Sequence, residues 1–399
     1  MAEPIVILGA GLAGLSAAYH AKKRGLPHLL FEREERVGGL VRSEQINGFT
    51  FDYTGHLLHM KQERTKKLVL NELGLKNDFV MVERNSWVYA NGRFTRAPFQ
   101  ANLYGQPDHV IQECLEGILK VSVGAGRPPA PVAKRRVWPA RHSRKLETFE
   151  SWNLRTFGPG IYRHFMEPYN TKLWGIHPSK MTVDFMGRFI PKPSVQQVFE
   201  GALSDIGKPM GYNAAFIYPK KGGIEILSRA FGRKVAAHLK HNAVQIDVKR
   251  REITFSNGMR LHYKKLITTL PLTRLCAILK DAPSGVSKAA SRLRASSVLN
   301  VNFGIKNRNV SSMQWIYVPE PSLPFYRVGF YHNFSSQLAP KGGSSVYAEM
   351  SYSVDHPINK KEAPRRIRRV PLPRQHPRVR SEHPGDGQTP RLNGVRLPR

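Results

Sequence analysis

The N-terminal residues predict an α/β fold, because a buried strand, a glycine-rich turn and a helix follow one another directly. Residues 5–8 are a short apolar run that fits a strand covered on both faces. Residues 11–23 follow as a helix rich in alanine, whose small side chains let it lie close to a sheet. Residues 29–31 form the next apolar run. This order predicts the beginning of a βαβ unit with parallel strands.

The glycine-rich turn has the spacing of a dinucleotide-binding fingerprint. Gly9, Gly11 and Gly14 lie in the pattern G-x-G-x-x-G between the strand and the helix. Such glycines make the tight turn, let the backbone approach a pyrophosphate, and let helix and strand pack closely. Glu32 ends the second strand and can accept hydrogen bonds from a ribose diol, whereas it would repel the 2′-phosphate of NADP. The context favours a Rossmann-type domain over a plain glycine turn.

A second glycine pair follows at once in residues 36–43, Arg-Val-Gly-Gly-Leu-Val-Arg-Ser. This stretch resembles the R-x-G-G-x-x-x-S segment of FAD-binding proteins of the amine-oxidase and phytoene-desaturase class. The resemblance implies FAD as the cofactor, with Arg36, Gly38, Gly39 and Arg42 beside it. Arg42 can offer charge to the phosphates. The alternative is a glycine turn with solvated arginines.

Residues 48–56, Gly-Phe-Thr-Phe-Asp-Tyr-Thr-Gly-His, resemble the loop that approaches the flavin in protoporphyrinogen-oxidase-like proteins and UDP-galactopyranose mutases. His59 completes a G-H-x-x-H pattern that is most similar to the mutases. The resemblance implies catalytic roles for His56 and His59. Thr54 replaces the usual glycine, and ordinary half-buried histidines are the alternative.

Residues 168–175, Pro-Tyr-Asn-Thr-Lys-Leu-Trp-Gly, resemble the Y-T-x-K-x-W-G segment of the mutases. That resemblance implies that Tyr169, Lys172 and Trp174 line a substrate pocket, where an aromatic plane can stack on a base and a lysine can meet a diphosphate. Packing within the domain explains the aromatic residues equally well.

Arg327 lies in a segment, Phe-Tyr-Arg at residues 325–327, that resembles one carrying a substrate-side arginine in mutase-like proteins. The alternative is that Arg327 is a surface residue of a strand.

The return of the chain to the FAD-binding domain begins at residues 218–223, which resemble a P-x-G-G turn before a helix. Val244 and the hairpin after it fit the strand that approaches the adenine. Four later segments alternate apolar and polar residues and predict an antiparallel sheet; they are residues 297–305, 315–318, 324–333 and 344–353.

We therefore expect a Rossmann-type FAD-binding domain interleaved with a mixed α+β substrate domain. Residues 63–120 have mainly helical patterning. The expected parts are the first FAD part at 1–100, a mainly helical cap at 101–215 with a basic insertion at 121–146, the return strands at 216–295, the antiparallel sheet at 296–356, and an Arg/Pro-rich disordered tail at 357–399.

The net charge of +33 is concentrated in two stretches. Residues 121–146 carry seven Lys/Arg and no acid, and residues 360–399 carry twelve Lys/Arg against three acids. Such charge attracts polyanions without specificity. Nucleic-acid-binding motifs do not accompany it, so we expect no specific nucleic-acid partner. An altered reading frame and native extensions both explain these two stretches.

The sequence does not contain the second FAD segment, G-R-x-G-x-W, with which such proteins normally end. We expect FAD to be held more weakly without it.

Cys114 and Cys276 form no metal-binding pattern, so no metal is expected. A targeting signal and a run of about 20 apolar residues are also missing, which favours a cytoplasmic protein without integral membrane contact. The oligomeric state stays open.

Three functions are consistent with these patterns. The first is an FAD-dependent oxidoreductase of the amine oxidase/protoporphyrinogen oxidase-like class, which transfers a hydride from a small-molecule substrate to flavin N5. The second is a flavin-dependent sugar isomerase similar to UDP-galactopyranose mutase, acting on a nucleotide sugar. The third is a non-catalytic remnant that binds flavin or, through its basic tail, an anionic partner.

Overall fold

The computed structural model describes residues 3–124, 147–184, 189–207, 214–306 and 310–370. The chain divides into two compact units. The first unit contains Met1–Met81, Ile217–Ala295 and Ser335–Pro340, and the second contains Val82–Phe216, Ser296–Phe334 and Lys341–Arg399. The basic insertion expected at 121–146 lies outside the described residues, apart from its first four.

The described residues contain strands that we number along the chain. They are β1 (Ile5–Leu8), β2 (His28–Phe31), β3 (Ser43–Ile46), β4 (Phe49–Asp52), β5 (Phe79–Glu83), β6 (Ser86–Ala90), β7 (Arg93–Arg96), β8 (Ala215–Pro219), β9 (Ala243–Asp247), β10 (Glu252–Phe255), β11 (Arg260–His262), β12 (Lys265–Thr268), β13 (Leu279–Lys280), β14 (Ser297–Ile305), β15 (Trp315–Tyr317), β16 (Arg327–Gly329) and β17 (Ser344–Tyr352).

The helices are numbered in the same way. They are α1 (Leu12–Lys23), α2 (Glu63–Lys66), α3 (Asp108–Gly124), α4 (Phe149–Ile161), α5 (Glu167–Trp174), α6 (Val195–Leu203), α7 (Ile226–Gly232), α8 (Leu272–Ile278), α9 (Ser284–Ala290) and α10 (Ala363–Arg369). None of these described helices is both long and apolar enough to cross a membrane.

The first unit is built on the parallel sheet β12-β1-β2, with β1 in the centre. Ile5 pairs with His28 on one side and with Lys265 on the other. Helix α1 covers this sheet through buried small and apolar residues such as Gly14 and Ala18. The expected α/β, Rossmann-type order is therefore confirmed, because β1, α1 and β2 follow as the sequence predicts.

Further strands of the first unit form a four-stranded sheet, β11-β10-β9-β13, and a hairpin, β3-β4. Strands β9 and β10 are antiparallel, as the sequence predicts, with a register shift between Thr254 and Phe255. The helix expected after the glycine pair at 222–223 is α7, which begins at Ile226 and ends at Gly232.

The second unit contains the six-stranded sheet β14-β17-β16-β15-β6-β7. Its antiparallel part, from β14 to β15, is the sheet that the alternating segments predict. Strand β6 adds to it in parallel with β15, so that Trp87 pairs with Ile316. The mainly helical character expected for residues 63–120 is therefore wrong between β5 and β7. For the same reason residues 82–100 belong to the second unit, and the first unit ends at Met81 rather than at residue 100.

Helices α3 and α4 pack closely beside this sheet within the second unit. The chain at Gly158 has a φ of +77°, which interrupts α4 at a Gly-Pro pair. A Cβ atom at Gly160 would overlap the backbone of Glu113 in α3. Glycine is therefore required for this close approach, and the buried Cys114 and Phe157 complete the contact.

The end of the described chain corrects the expectation of a disordered tail from residue 357. Residues 357–370 are described and contain α10, whose Ala363 and Ile367 are buried in the apolar core beneath the six-stranded sheet. These two side chains lie four positions apart and therefore on one face of the helix. The surrounding arginines point to solvent. Residues 371–399 lie outside the described part of the chain.

Candidate functional site

The glycine turn after β1 has the geometry that its three glycines predict. Gly9 has a φ of +95°, which turns the chain out of the strand. A Cβ atom at Gly14 would overlap the carbonyl oxygen of Gly9, so only glycine lets α1 start so close to β1. A Cβ atom at Gly11, in contrast, would meet nothing nearer than Gly39 Cα, at 3.8 Å. The space above Gly11 is thus kept clear by the missing side chain.

Helix α1 begins immediately above this turn. Its N-cap is Gly11, and within the described residues no side chain caps its first amides. Acidic residues are also missing from its first turn. Free N–H groups and the positive end of the helix dipole favour a bound phosphate. The residues of the turn therefore fit the pyrophosphate of a dinucleotide.

Glu32 lies directly after β2 and is 7% exposed. Its Oε2 accepts a hydrogen bond of 2.7 Å from the Ala10 amide, and its Oε1 accepts one of 3.1 Å from the Glu34 amide. The carboxylate is thereby fixed beside the glycine turn, where the sequence predicts a group for the ribose. Carboxylate oxygens can accept more than one hydrogen bond each, so these contacts leave room for sugar hydroxyls.

The second glycine pair lies against the first. Gly38 has a φ of +125° and donates its amide hydrogen to the carbonyl of Ala10, at 2.8 Å. Gly39 has a φ of +58°, and a Cβ atom there would lie 3.0 Å from Gly11 Cα. The two segments that the sequence singles out thus form one continuous backbone surface.

The two arginines of this segment have acidic or carbonyl partners within the first unit. Arg36 contacts Glu44 and lies 3.8 Å from Glu225. Burial lowers the pKa of Arg36, but its hydrogen bond with Tyr53 and these carboxylates raise the pKa above its ordinary value. Arg42 is buried and donates to the backbone carbonyls of Arg36 and Val37. Contact of Arg42 with the phosphates, and of Arg36 with the cofactor, stays a prediction.

A buried polar network joins this segment to the turn before α7. Asp52, at the end of β4, is 1% exposed and accepts hydrogen bonds from Ser43 Oγ and Tyr218 OH, both at 2.6 Å. Glu225 accepts one from the Ser43 amide, at 3.2 Å. Sequence reasoning missed this network. An acid inside the apolar run of β4 is the signal that could have revealed it.

The two histidines of the first unit follow this network. Nδ1 of His56 is buried and lies 3.7 Å from Asp52 Oδ2. His59 is half-buried. Between them, Leu58 is held to Ile217 by backbone hydrogen bonds in both directions, at 3.3 and 3.1 Å. This bridge fixes the loop that carries both rings.

Val244 belongs to β9 and is 38% exposed. It lies at the register shift between β9 and β10, next to Ala243. Its apolar surface is thus available in the first unit, and contact with the adenine stays a prediction.

Three candidate substrate residues lie on α5 in the second unit. Tyr169 is buried, and its ring stacks on Phe165 with centroids 5.1 Å apart. Burial, and then Tyr317, raise the pKa of the Tyr169 hydroxyl well above its ordinary value. Trp174 is half-buried against the same aromatic core. This geometry fits the packing alternative for Tyr169.

Lys172, also on α5, is the third. Its Nζ donates hydrogen bonds to the backbone carbonyls of Val318 and Glu320, at 2.8 and 2.9 Å. Burial lowers the pKa of Lys172 to about 7, although the charge of Glu320 acts against this change. The lysine therefore ties α5 to the segment after β15, and a role with a diphosphate stays a prediction.

Arg327 lies in β16, directly opposite Glu349 of β17. Its Nε lies 2.7 Å from Glu349 Oε2, and the carboxylate is fully buried. Burial alone would lower the pKa of Arg327, but Glu349 outweighs it and the pKa lies well above its ordinary value. Arg327 is therefore not an ordinary surface strand residue. Glu349 is a partner that the sequence analysis missed.

The candidate residues are thus divided between the two units. The first unit contains the residues at the glycine turn, its neighbouring loop and the two histidines. The second unit contains Tyr169, Lys172, Trp174 and Arg327.

Among curated proteins, the chain is similar to protoporphyrinogen oxidase of Homo sapiens, with 24% identity over 331 residues that cover 76% of this chain and 67% of that protein. It is also similar to chloroplastic/mitochondrial protoporphyrinogen oxidase 2 of Arabidopsis thaliana, with 22% identity over 306 residues, 67% of this chain and 57% of that protein. The chain thus spans between about half and two thirds of the length of these relatives.

Among solved structures, it is similar to the crystal structure of a reduced UDP-galactopyranose mutase, with a TM-score of 0.79 and 28% identity over 90% of this chain and 77% of that one. A putative protoporphyrinogen oxidase from Exiguobacterium sp. 255-15 shares the fold, with a TM-score of 0.62 and 17% identity over 88% and 77% of the two chains.

Residues 12–366 match the protein family described as flavin containing amine oxidoreductase. That match begins with α1, includes the loop of His56 and His59 and the second unit's sheet, and ends within α10. The chain belongs to the flavin containing amine oxidoreductase family, and its cofactor is FAD.

Proposed function

We propose that the protein is an FAD-dependent oxidoreductase that oxidises a small-molecule substrate. The observation that carries the proposal is the clear space above Gly11, bounded by the start of α1 and by the loop of Gly38 and Gly39. When bound, FAD supplies a two-electron acceptor at its N5 atom for a hydride from the substrate.

The chain's own residues have separate tasks in this proposal. The amides at the start of α1 hold the pyrophosphate charge, and Glu32 accepts hydrogen bonds from the ribose. His56 and His59 supply polar side chains of the flavin loop. Arg327 supplies a positive charge for the substrate, fixed by its ion pair with Glu349.

The substrate belongs to the proposal rather than to the family match. Relatives named as protoporphyrinogen oxidase and as a probable monoamine oxidase suggest a tetrapyrrole precursor or an amine. We also propose a cytoplasmic location. Relatives in organelles make this the first point to check by imaging a tagged chain.

Anaerobic reduction of the bound flavin tests the proposal. The purified protein is first titrated with FAD, and the dissociation constant is measured by flavin fluorescence. Amines and protoporphyrinogen are then added without oxygen, and loss of the oxidised-flavin absorbance is recorded. Bleaching by one substrate class supports an oxidoreductase. A chain that binds FAD but is reduced by neither class contradicts these two substrate classes, and a chain that does not bind FAD contradicts the proposal itself.

A second candidate function is sugar isomerisation without net redox change. The observation that favours it is the similarity to the reduced UDP-galactopyranose mutase, together with the G-H-x-x-H pattern of His56 and His59. Chemically reduced protein is incubated with UDP-galactopyranose, and the nucleotide sugars are separated by chromatography. Ring contraction with no electron acceptor present would establish the mutase function, and unchanged substrate would remove it.

A further inference from the structure

The carboxylate of Asp52 joins two segments of the first unit that are distant from each other in sequence. Its Oδ1 accepts hydrogen bonds from Ser43 Oγ, at 2.6 Å, and from the Ile224 amide, at 3.1 Å. Its Oδ2 accepts one from Tyr218 OH, at 2.6 Å. Ser43 ends the loop beside the glycine turn, and Tyr218 and Ile224 flank the turn before α7. One side chain therefore sets the distance between these segments.

The backbone of the second segment is adapted to this carboxylate. Gly223 has a φ of +69°, and a Cβ atom there would overlap the Ser43 hydroxyl and lie 2.7 Å from Asp52 Oδ1. Any other residue would therefore push the Ile224 amide away from its acceptor. The amide of the next residue, Glu225, donates to Ser43 Oγ, at 3.2 Å.

The same carboxylate faces the first candidate histidine. Asp52 Oδ2 lies 3.7 Å from the buried His56 Nδ1, which is longer than an ordinary hydrogen bond but places an acceptor oxygen beside this nitrogen. Because Tyr218 holds this oxygen, the carboxylate cannot rotate away from the ring without losing a buried hydrogen bond. An acceptor beside Nδ1 favours the imidazole form that carries its proton on Nδ1, which leaves Nε2 as an acceptor.

We propose that Asp52 is a positioning residue that holds the imidazole of His56 with Nδ1 toward the protein interior and Nε2 available to the flavin site. This inference deepens the proposed function, because it takes His56 as a group of that site. Asp52 itself touches neither substrate nor cofactor in this proposal and acts through His56.

Nuclear magnetic resonance of the protein without FAD tests the proposal independently of cofactor binding. Histidines are labelled with ¹⁵N, and the His56 signals are assigned by their loss in His56→Asn. The wild-type ring is expected to carry its proton on Nδ1 near neutral pH, and Asp52→Asn is expected to shift the population toward Nε2–H. Equal tautomer populations in the wild type and in Asp52→Asn overturn the proposal.

The control is Glu63→Gln, which removes a carboxylate that is 84% exposed and belongs to the same unit. It should leave the His56 signals unchanged. If Asp52→Asn does not fold, Tyr218→Phe replaces it, since that variant removes only the hydroxyl that holds Oδ2. It should move the His56 signals in the same direction, and unchanged signals then overturn the proposal.

A double-mutant cycle adds the readout with cofactor. The dissociation constant of FAD and the visible flavin spectrum are measured for Asp52→Asn, His56→Asn and the double variant. Action through His56 predicts that Asp52→Asn weakens FAD binding about fivefold or more in the wild type and has little further effect in His56→Asn. Equal effects in both backgrounds overturn it. If the wild type binds no FAD at all, the proposed function fails, and the resonance experiment still decides the role of Asp52.

Discussion

The guanidinium of Arg327 and the carboxylate of Glu349 form a two-pronged ion pair across neighbouring strands. Nε of the arginine lies 2.7 Å from Oε2 and NH2 lies 2.9 Å from Oε1, and Glu349 is completely buried. Two parallel N–H···O bonds fix the plane of the guanidinium as well as its position. The arginine is therefore held in one orientation by a residue 22 positions further along the chain.

Removing only the acid from this pair should be more damaging than replacing both partners. Glu349→Ala leaves a guanidinium that is only 22% exposed without its carboxylate, and we expect a loss of about 3 kcal/mol in the free energy of unfolding. The double variant Arg327→Met, Glu349→Leu should lose much less, because it buries no charge. Guanidinium unfolding curves of the three proteins check this. A double variant as unstable as Glu349→Ala would contradict it.

Alanine should have different effects at Gly11 and at Gly14: it should weaken FAD binding at the first position and lower the stability of the protein at the second. Gly11→Ala fills only the clear space, so thermal unfolding without FAD should be unchanged while the FAD dissociation constant rises at least about tenfold. Gly14→Ala forces α1 away from Gly9 and should cost about 3 kcal/mol of stability even without FAD.

The control for both variants is Gly285→Ala in α9, where a Cβ atom meets nothing within 4 Å. It should be neutral or stabilising by up to about 1 kcal/mol, because alanine favours a helix. Equal losses of FAD affinity in Gly11→Ala and in this control would show that the space above Gly11 is not the phosphate site.

The partly buried amine of Lys172 should make stability depend on pH. Its pKa of about 7 in the folded protein lies below the ordinary 10.5, so between these values the unfolded chain binds more protons. The free energy of unfolding therefore rises with pH in this window, by at most about 1.4 kcal/mol per pH unit. Lys172→Met should remove this contribution. Unfolding curves of both proteins at several pH values check it, and parallel pH profiles would refute it.

Helix α10 should contribute to the stability of the second unit despite its arginines. Ile367→Ala removes a buried side chain from the core and should cost about 2–5 kcal/mol. Arg366→Ala, on the exposed face of the same helix, is the control and should change the free energy of unfolding by less than about 0.5 kcal/mol. Equal effects of the two variants would mean that α10 does not pack as described.

Local features of the fold were predictable because short-range patterns determine them. The succession of β1, α1 and β2 follows from apolar runs and glycine spacing within the first residues, and the β9–β10 hairpin follows from neighbouring segments. The parallel pairing of Trp87 with Ile316 was not predictable, because the two strands are more than two hundred residues apart and carry no signal for each other. Helix α10 was not predicted either, because its composition is rich in arginine and its apolar signal is limited to the spacing of Ala363 and Ile367.

In the candidate site, too, local features were predictable and contacts between distant residues were not. The roles of Gly9 and Gly14 in the backbone follow from their spacing alone, and the structure confirms both. The partners of the candidate side chains could not be predicted from the sequence. Asp52 meets Tyr218, and Arg327 meets Glu349, only after the chain has folded, and a single sequence does not record which distant acid lies beside which base.

The central strand of the first unit has a consequence for synthesis of the chain. Ile5 of β1 pairs with Lys265 of β12, which leaves the ribosome 260 residues later. At about 5–20 residues per second, β1 waits roughly 13–50 s for this neighbour. Through that interval one edge of an apolar strand is without its native partner, and the glycine turn above it cannot take its final shape, since Gly9 is packed against Thr269. The cofactor site is therefore completed only after about two thirds of the chain has been made, although its signature is among the first residues to be made.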